Sequence, residues 1–265
     1  MSTFELSLAL SPNGPNVWTG RADPAYAAAT GMYGGFSSAL LLKSVLAEPA
    51  AQTQGPPSAF TAHFLNRIEP GATLTFRTRM LKSASKSHGF WQTEVFQGDQ
   101  TAPSATATVI LTTRRDNDGF NELKMPSAPP PEQIEAFHPP FPYAERTAKY
   151  FIKGFPPFNS PDTHSLGWSK ELTGRKVDAI QLAFLSDNFP PRSWFISSGL
   201  RATATLTHSL YFLATPEEMA AIGDDAVLMA VDGTRGAGSL HGVRVNMWSR
   251  AGVLLATSEQ LAWYK

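Results

Sequence analysis

The chain has 265 residues, no cysteine and a formal net charge of zero, with 42% hydrophobic and 17% charged residues. One large or two small packed domains are expected, and wholesale disorder is excluded. Charge balance argues against nucleic acid or an anionic membrane as the main partner, and the lack of cysteine removes disulfides, thiolate catalysis and cysteine-held metals together.

The N-terminus, MSTFELSLALSPNG, has no basic stretch leading into an apolar one, so no signal peptide is expected. No apolar run approaches the roughly 18 residues of a membrane span. A soluble, cytoplasmic protein is the expectation. Residues 4–10 (FELSLAL) and 16–21 (NVWTGR) read as short strands around a turn at Pro12, Asn13 and Gly14. Residues 31–48 read as a mostly buried helix that Gly34 and Gly35 open and Pro49 closes. Four strand-like segments follow at 59–67, 73–81, 89–97 and 104–114. Turns at Glu69-Pro70-Gly71, Lys82 to His88 and Gly98-Asp99-Gln100 separate them. Apolar and polar residues alternate in LTFRTRM and WQTEVF, as in an antiparallel sheet with one wet face.

Residues 126–161 hold ten of the 21 prolines and read as an extended linker, with a short helical piece around Glu132–Ala136. Its many aromatics predict that it packs on the protein. The earlier pattern then restarts. A Trp-bearing strand at 164–171 precedes an apolar helix at 177–191, then strands at 200–214, 226–234, 241–249 and 252–264. Each half thus runs strand, buried helix, four strands, at an offset of roughly 145–150 residues. The expected architecture is α+β. Two units of one helix wrapped by a curved antiparallel sheet pair their sheets edge to edge. The units span 1–120 and 162–265, with 121–161 between them.

Asp187 stands out inside the second helix, ahead of Pro190 and Pro191. A carboxylate in a helix apolar nearly all round needs partners or loses its charge. Its sister helix, with Ala39 to Ser44 in the matching place, has no acid.

Three segments of the C-terminal half carry a resemblance to the double hotdog acyl-CoA thioesterases of the thioesterase II type. They are Ser186-Asp187-Asn188-Phe189, Thr205-Leu206-Thr207-His208-Ser209-Leu210-Tyr211-Phe212, and Ala256-Thr257-Ser258-Glu259-Gln260. That family carries an Asp in such a helix motif, a Thr on the strand entering the His-Ser segment and a Gln on the last strand after a small-residue run. This chain departs from it at Thr207, where an acidic residue is frequent, and in its proline-rich linker. The resemblance implies thioester hydrolysis of an acyl-CoA, or of an acyl group on a carrier protein, to a free acid. Asp187 would hold and polarise a water, with Thr205 and Gln260 bonded to that water or to the carboxylate, so keeping Asp187 ionised. A backbone N–H near Gly34 or Gly35 would bind the thioester oxygen. In the N-terminal half Val109 or a close neighbour stands where the C-terminal half has Gln260, so one site per chain is expected between the halves. A homo-oligomer is compatible with the architecture.

Each of these residues has a plainer reading. Asp187 could cap a backbone or pair with Arg192 or Arg201, and His208 could be structural or a base. Arg114, Arg115, Lys82 and Lys86 could meet coenzyme A phosphates or end strands in solvent. Gly34 and Gly35 could simply allow close packing. A serine hydrolase would need a nucleophile elbow, and Gly35-Phe36-Ser37-Ser38-Ala39 lacks the second glycine. No phosphate loop, haem motif or metal cluster appears, and no cofactor is expected. The rival from another class is a non-catalytic acyl-CoA- or lipid-binding protein of the same fold. The two part on whether Asp187, Thr205 and Gln260 converge on one water-sized site.

Overall fold

The computed structural model of the protein describes residues 2–84 and 88–265. Lys86 and part of the Lys82–His88 turn lie outside the described residues. The N-terminal half holds α1 (Thr3–Ser7), β1 (Ser11–Pro12), β2 (Val17–Arg21), β3 (Ala27–Ala28), β4 (Gly31–Met32), α2 (Gly34–Leu46), β5 (Pro57–Phe64), β6 (Thr73–Ala84), β7 (His88–Gln97) and β8 (Ala105–Thr112). The C-terminal half holds β9 (Thr147–Lys153), β10 (Ser165–Glu171), α3 (Ala179–Leu185), α4 (Arg192–Phe195), β11 (Thr203–Phe212), α5 (Pro216–Ala220), β12 (Val227–Ala237), β13 (Leu240–Trp248) and β14 (Leu254–Tyr264).

Twelve strands form one sheet in the order β1-β2-β6-β7-β8-β5-β11-β14-β13-β12-β10-β9. The strand order of one half repeats, inverted, in the other. The seam is the antiparallel pair β5·β11, where Thr61 faces Ser209, 148 residues further along. Two would-be edges are thus spent on each other. The seam also settles the sister of Gln260. Phe60 pairs with Val109 as its counterpart His208 pairs with Gln260, so Val109 takes the matching place.

Inside the sheet lie α2 and α3, packed against each other. The buried rings of Phe4, Tyr26, Phe36 and Phe184 close one end of this layer, with Tyr26 stacked on Phe36 at 4.5 Å. FELSLAL is not the expected strand. Phe4 and Leu8, four residues apart, are both fully buried while Leu6 is exposed, which is helical spacing. Ser2 caps the helix by accepting from the Glu5 N–H at 3.2 Å.

The helix expected at 177–191 is shorter. Asp178 caps α3, accepting from the Gln181 N–H at 2.9 Å, and the helix ends at Leu185. Pro190 disfavours helical backbone at Phe189 and would clash with the carbonyl four residues back. Pro191 instead serves as the N-cap of α4. Asp187 therefore sits in the turn after the helix rather than within it.

The proline-rich stretch also differs from expectation. It contributes β9, which pairs with β10 at the end of the sheet. Its helical piece is a single 3-10 turn, Pro131–Gln133. Its aromatics do pack on the protein: Tyr143 stacks on Tyr33 at 4.4 Å, and Phe151 meets Phe189 edge-on at 5.2 Å. Among the described residues no helix is long and apolar enough to cross a membrane.

Candidate active site

α2 starts against the end of α3. Gly35 permits this approach, because a Cβ there would sit 2.2 Å from the Phe184 carbonyl oxygen and 2.6 Å from the Tyr33 ring. The Tyr33 hydroxyl donates to the same carbonyl at 2.7 Å and locks the two helices together. The turn after α3 then brings Asp187 to the N-terminus of α2. There Oδ2 accepts from the Gly35 N–H at 3.1 Å. A Cβ on Gly34 would lie 2.6 Å from that oxygen. The helix end favours negative charge through its free N–H groups and its dipole.

Gln260 approaches from β14. Its Nε2 donates to the Ser186 carbonyl at 3.5 Å, and the amide lies beside the Asp187 carboxylate, whose charged form it favours. The Asp187 carboxyl group is enclosed by protein yet keeps a partly open face toward a cleft. Burial raises its pKa to about 7 from an ordinary 3.8, outweighing the lowering from the Gln260 amide and the Gly35 N–H. The donors thus fail to hold it fully ionised at neutral pH, contrary to expectation. Arg192 and Arg201 are not its partners. Arg192 donates to the carbonyls of Pro190, Thr163 and Val231, and Arg201 lies over the Tyr264 ring at 5.8 Å.

Thr205 reaches the same cleft through a β-bulge. The β11·β14 register shifts between Thr205 and Thr207, which turns Thr205 onto the inner face opposite buried Ala262. Among the described residues its side chain makes no hydrogen bond, so its hydroxyl is available to a ligand or water. The cleft has a volume of about 420 Å³ and is lined by Gly34, Asp187, Thr205 and Gln260 together with a mainly apolar wall. The Gly35 N–H is already engaged by Asp187. Among the described residues the Gly34 N–H meets no protein acceptor and remains the donor open to the cleft.

His208 lies elsewhere. It is 1% exposed, between Ser38 Oγ at 2.9 Å and Ser186 Oγ at 3.0 Å, one from each half. Burial lowers its pKa to about 3, so it stays neutral. A Ser38–His208 nucleophile pair is ruled out because neither residue lines the cleft and both ring nitrogens are engaged by serines. His208→Phe should leave the buried Ser38 hydroxyl short of a partner, while Ser186 keeps its bond to the Ala183 carbonyl, and cost about 1–3 kcal/mol. Chemical denaturation would register this as a lower midpoint at unchanged slope.

Arg114 donates to the Phe212 carbonyl, tying a strand end rather than facing the cleft. Met32, Tyr33 and Trp194 also line the cleft, whereas Phe36 and Phe184 are core. Sequence reading missed Tyr143, Arg67, Arg201 and His241 as lining residues. The aromatic density of the proline-rich stretch was a signal for Tyr143. Nothing local marked the others.

The helices wrapped by one antiparallel sheet define a protein of the hot dog fold, and the comparisons bear this out. A conserved hot dog protein of unknown function from Alicyclobacillus acidocaldarius superposes with a TM-score of 0.93 at 26% identity, covering 100% of this chain and 98% of its own. The tesB protein of Mycobacterium avium subs paratuberculosis gives 0.80 at 20% identity, with 99% and 98% covered. An acyl-CoA thioesterase II from Mycobacterium marinum gives 0.78 at 15%, with 99% and 98% covered. No curated protein matches the sequence. The acyl-CoA thioesterase N-terminal domain model matches residues 22–112 and the C-terminal domain model residues 121–264. The chain belongs to the acyl-CoA thioesterase family.

Proposed function

We propose that this double hotdog chain hydrolyses an acyl-CoA thioester to a free carboxylic acid and coenzyme A. The observation that carries this reading is the Asp187 carboxyl group of one half, held by the Gly35 N–H of the other and placed beside Gln260 at the wall of a cleft of small-molecule size. Asp187 in its ionised form takes a proton from a water that Gln260 and Thr205 orient. The water oxygen attacks the thioester carbonyl. The developing oxyanion meets the Gly34 N–H at the start of α2, where the dipole favours it. The carbon–sulfur bond then breaks, and the proton held on Asp187 passes to the leaving thiolate. A base near pKa 7 suits this double duty, since it both accepts and returns a proton at neutral pH. Val109 in place of Gln260, and no acid in the sister helix, support one such site per chain.

The test is thiol release from acyl-CoAs of graded chain length across pH. The active form is the carboxylate, so kcat/KM should fall about tenfold per unit as pH drops below about 7 and level off above it. Release from no member of the series, with binding retained, would leave a non-catalytic acyl-CoA-binding protein. A flat profile from pH ~5 to ~8 would remove Asp187 as the base.

A further inference from the structure

One polar side chain on the cleft wall has no role in the chemistry above. His241 on β13 is 5% exposed, and among the described residues neither ring nitrogen has a hydrogen-bond partner. It shares the inner face with Val243 and Val245 and lines the same cleft. Strand register fixes where. Thr205, Ala262 and His241 form one row across β11, β14 and β13. Gln260 is the diagonal neighbour of His241, at about 7–8 Å between backbones. A chain whose carbonyl sits at Asp187 and Gln260 and which runs along this wall therefore passes the imidazole. Burial, and secondarily the charge of Arg192, lowers its pKa to about 4, so the ring is neutral and offers one donor and one acceptor. Two buried unmatched nitrogens are costly, and packing alone would be better served by Leu or Phe.

We propose that His241 reads a hydroxyl on the acyl chain, making a hydroxylated acyl thioester the preferred substrate. The inference rests on the thioesterase reading of the same cleft. A hydroxyl both donates and accepts, so it satisfies either tautomer once the ring turns about its soft terminal torsion. A plain methylene leaves the ring unpaired.

The experiment compares decanoyl-CoA with its monohydroxylated counterparts, the hydroxyl moved outward from the third carbon, in wild type, His241→Leu and His241→Gln. At one position the wild type should favour the hydroxylated chain in kcat/KM by about tenfold. His241→Leu should abolish that ratio, and His241→Gln should retain part of it. The Gln variant carries the test if the Leu variant does not fold. Hydrolysis of decanoyl-CoA with no hydroxyl preference at any position, or with the same ratio in His241→Leu, overturns the proposal and leaves the thioesterase reading standing. If nothing is hydrolysed, that reading falls instead, and calorimetric binding of the same pairs decides the hydroxyl preference by the same ratio.

Discussion

Asp187→Asn should lower thiol release by about 10²–10⁴-fold, the range for loss of a positioned base, while making the folded protein more stable at pH 8. The two effects share one cause. The carboxyl pKa is about 7 in the folded chain against an ordinary 3.8. Between those values the native state keeps a proton that the unfolded chain releases. Stability therefore falls as pH rises through that window and stays low above it. Full linkage over that shift would amount to roughly 4 kcal/mol. The open face toward the cleft reduces it, and about 2 kcal/mol is the expected gain for the Asn variant at pH 8. The gain should vanish near pH 4. Paired melting curves at the two pH values, with a thiol assay on the same samples, check this. An Asn variant no more stable than wild type at pH 8 would show that burial does not strain the carboxylate.

Gly35→Ala should be damaging to both stability and rate. Helix propensity alone favours Ala over Gly by about 1 kcal/mol. Against that stands a Cβ placed 2.2 Å from the Phe184 carbonyl and 2.6 Å from the Tyr33 ring. One neighbour is backbone and the other is a ring pinned by its own hydrogen bond, so α2 and α3 must move apart. Overpacking of this kind costs about 1–3 kcal/mol, and the loosened Tyr33–Phe184 bond adds about 1 kcal/mol. The net expectation is a loss of about 2 kcal/mol. The kinetic effect should be larger, because the Gly35 N–H that holds Asp187 shifts with the helix. A displacement near 1 Å can cost about 10²-fold in rate. Urea unfolding and kcat/KM, measured together, check it. A variant with wild-type rate and stability would mean that the two helices tolerate separation and that the glycine is not required by their contact.

Much of the fold was legible because each half repeats one grammar: a strand with Trp, an apolar helix, four alternating strands. Asp187 could be singled out because its sister position lacks an acid. Its location could not, because the helix end is set by Asp178 capping and by Pro190 acting backward on Phe189. FELSLAL alternates like a strand and also spaces Phe4 and Leu8 like a helix, and only burial of one pair decides between them. Thr205 is a harder case. Its direction depends on a bulge against β14, a property of two strands together that neither sequence shows alone. Gly35 was expected to meet the substrate; a contact with the other half's carboxylate is a tertiary fact with no local trace. β9 was hidden by prolines on both sides of a short run that lies at the end of the sheet, paired with β10.

The Thr61–Ser209 seam acts as a gauge for the chemistry. The donor of the Gly35–Asp187 bond belongs to one half and the acceptor to the other, while Thr205 lies on the very strand that forms the seam. A slip of one residue along β5·β11 would turn every inner side chain of β11 outward or carry α2 away from α3. The alignment of the proposed site is therefore set by a row of backbone hydrogen bonds whose residues do not line the cleft. Alignment in this protein is digital, fixed by whole-residue steps of strand pairing, and fine adjustment is left to the turn that carries Asp187.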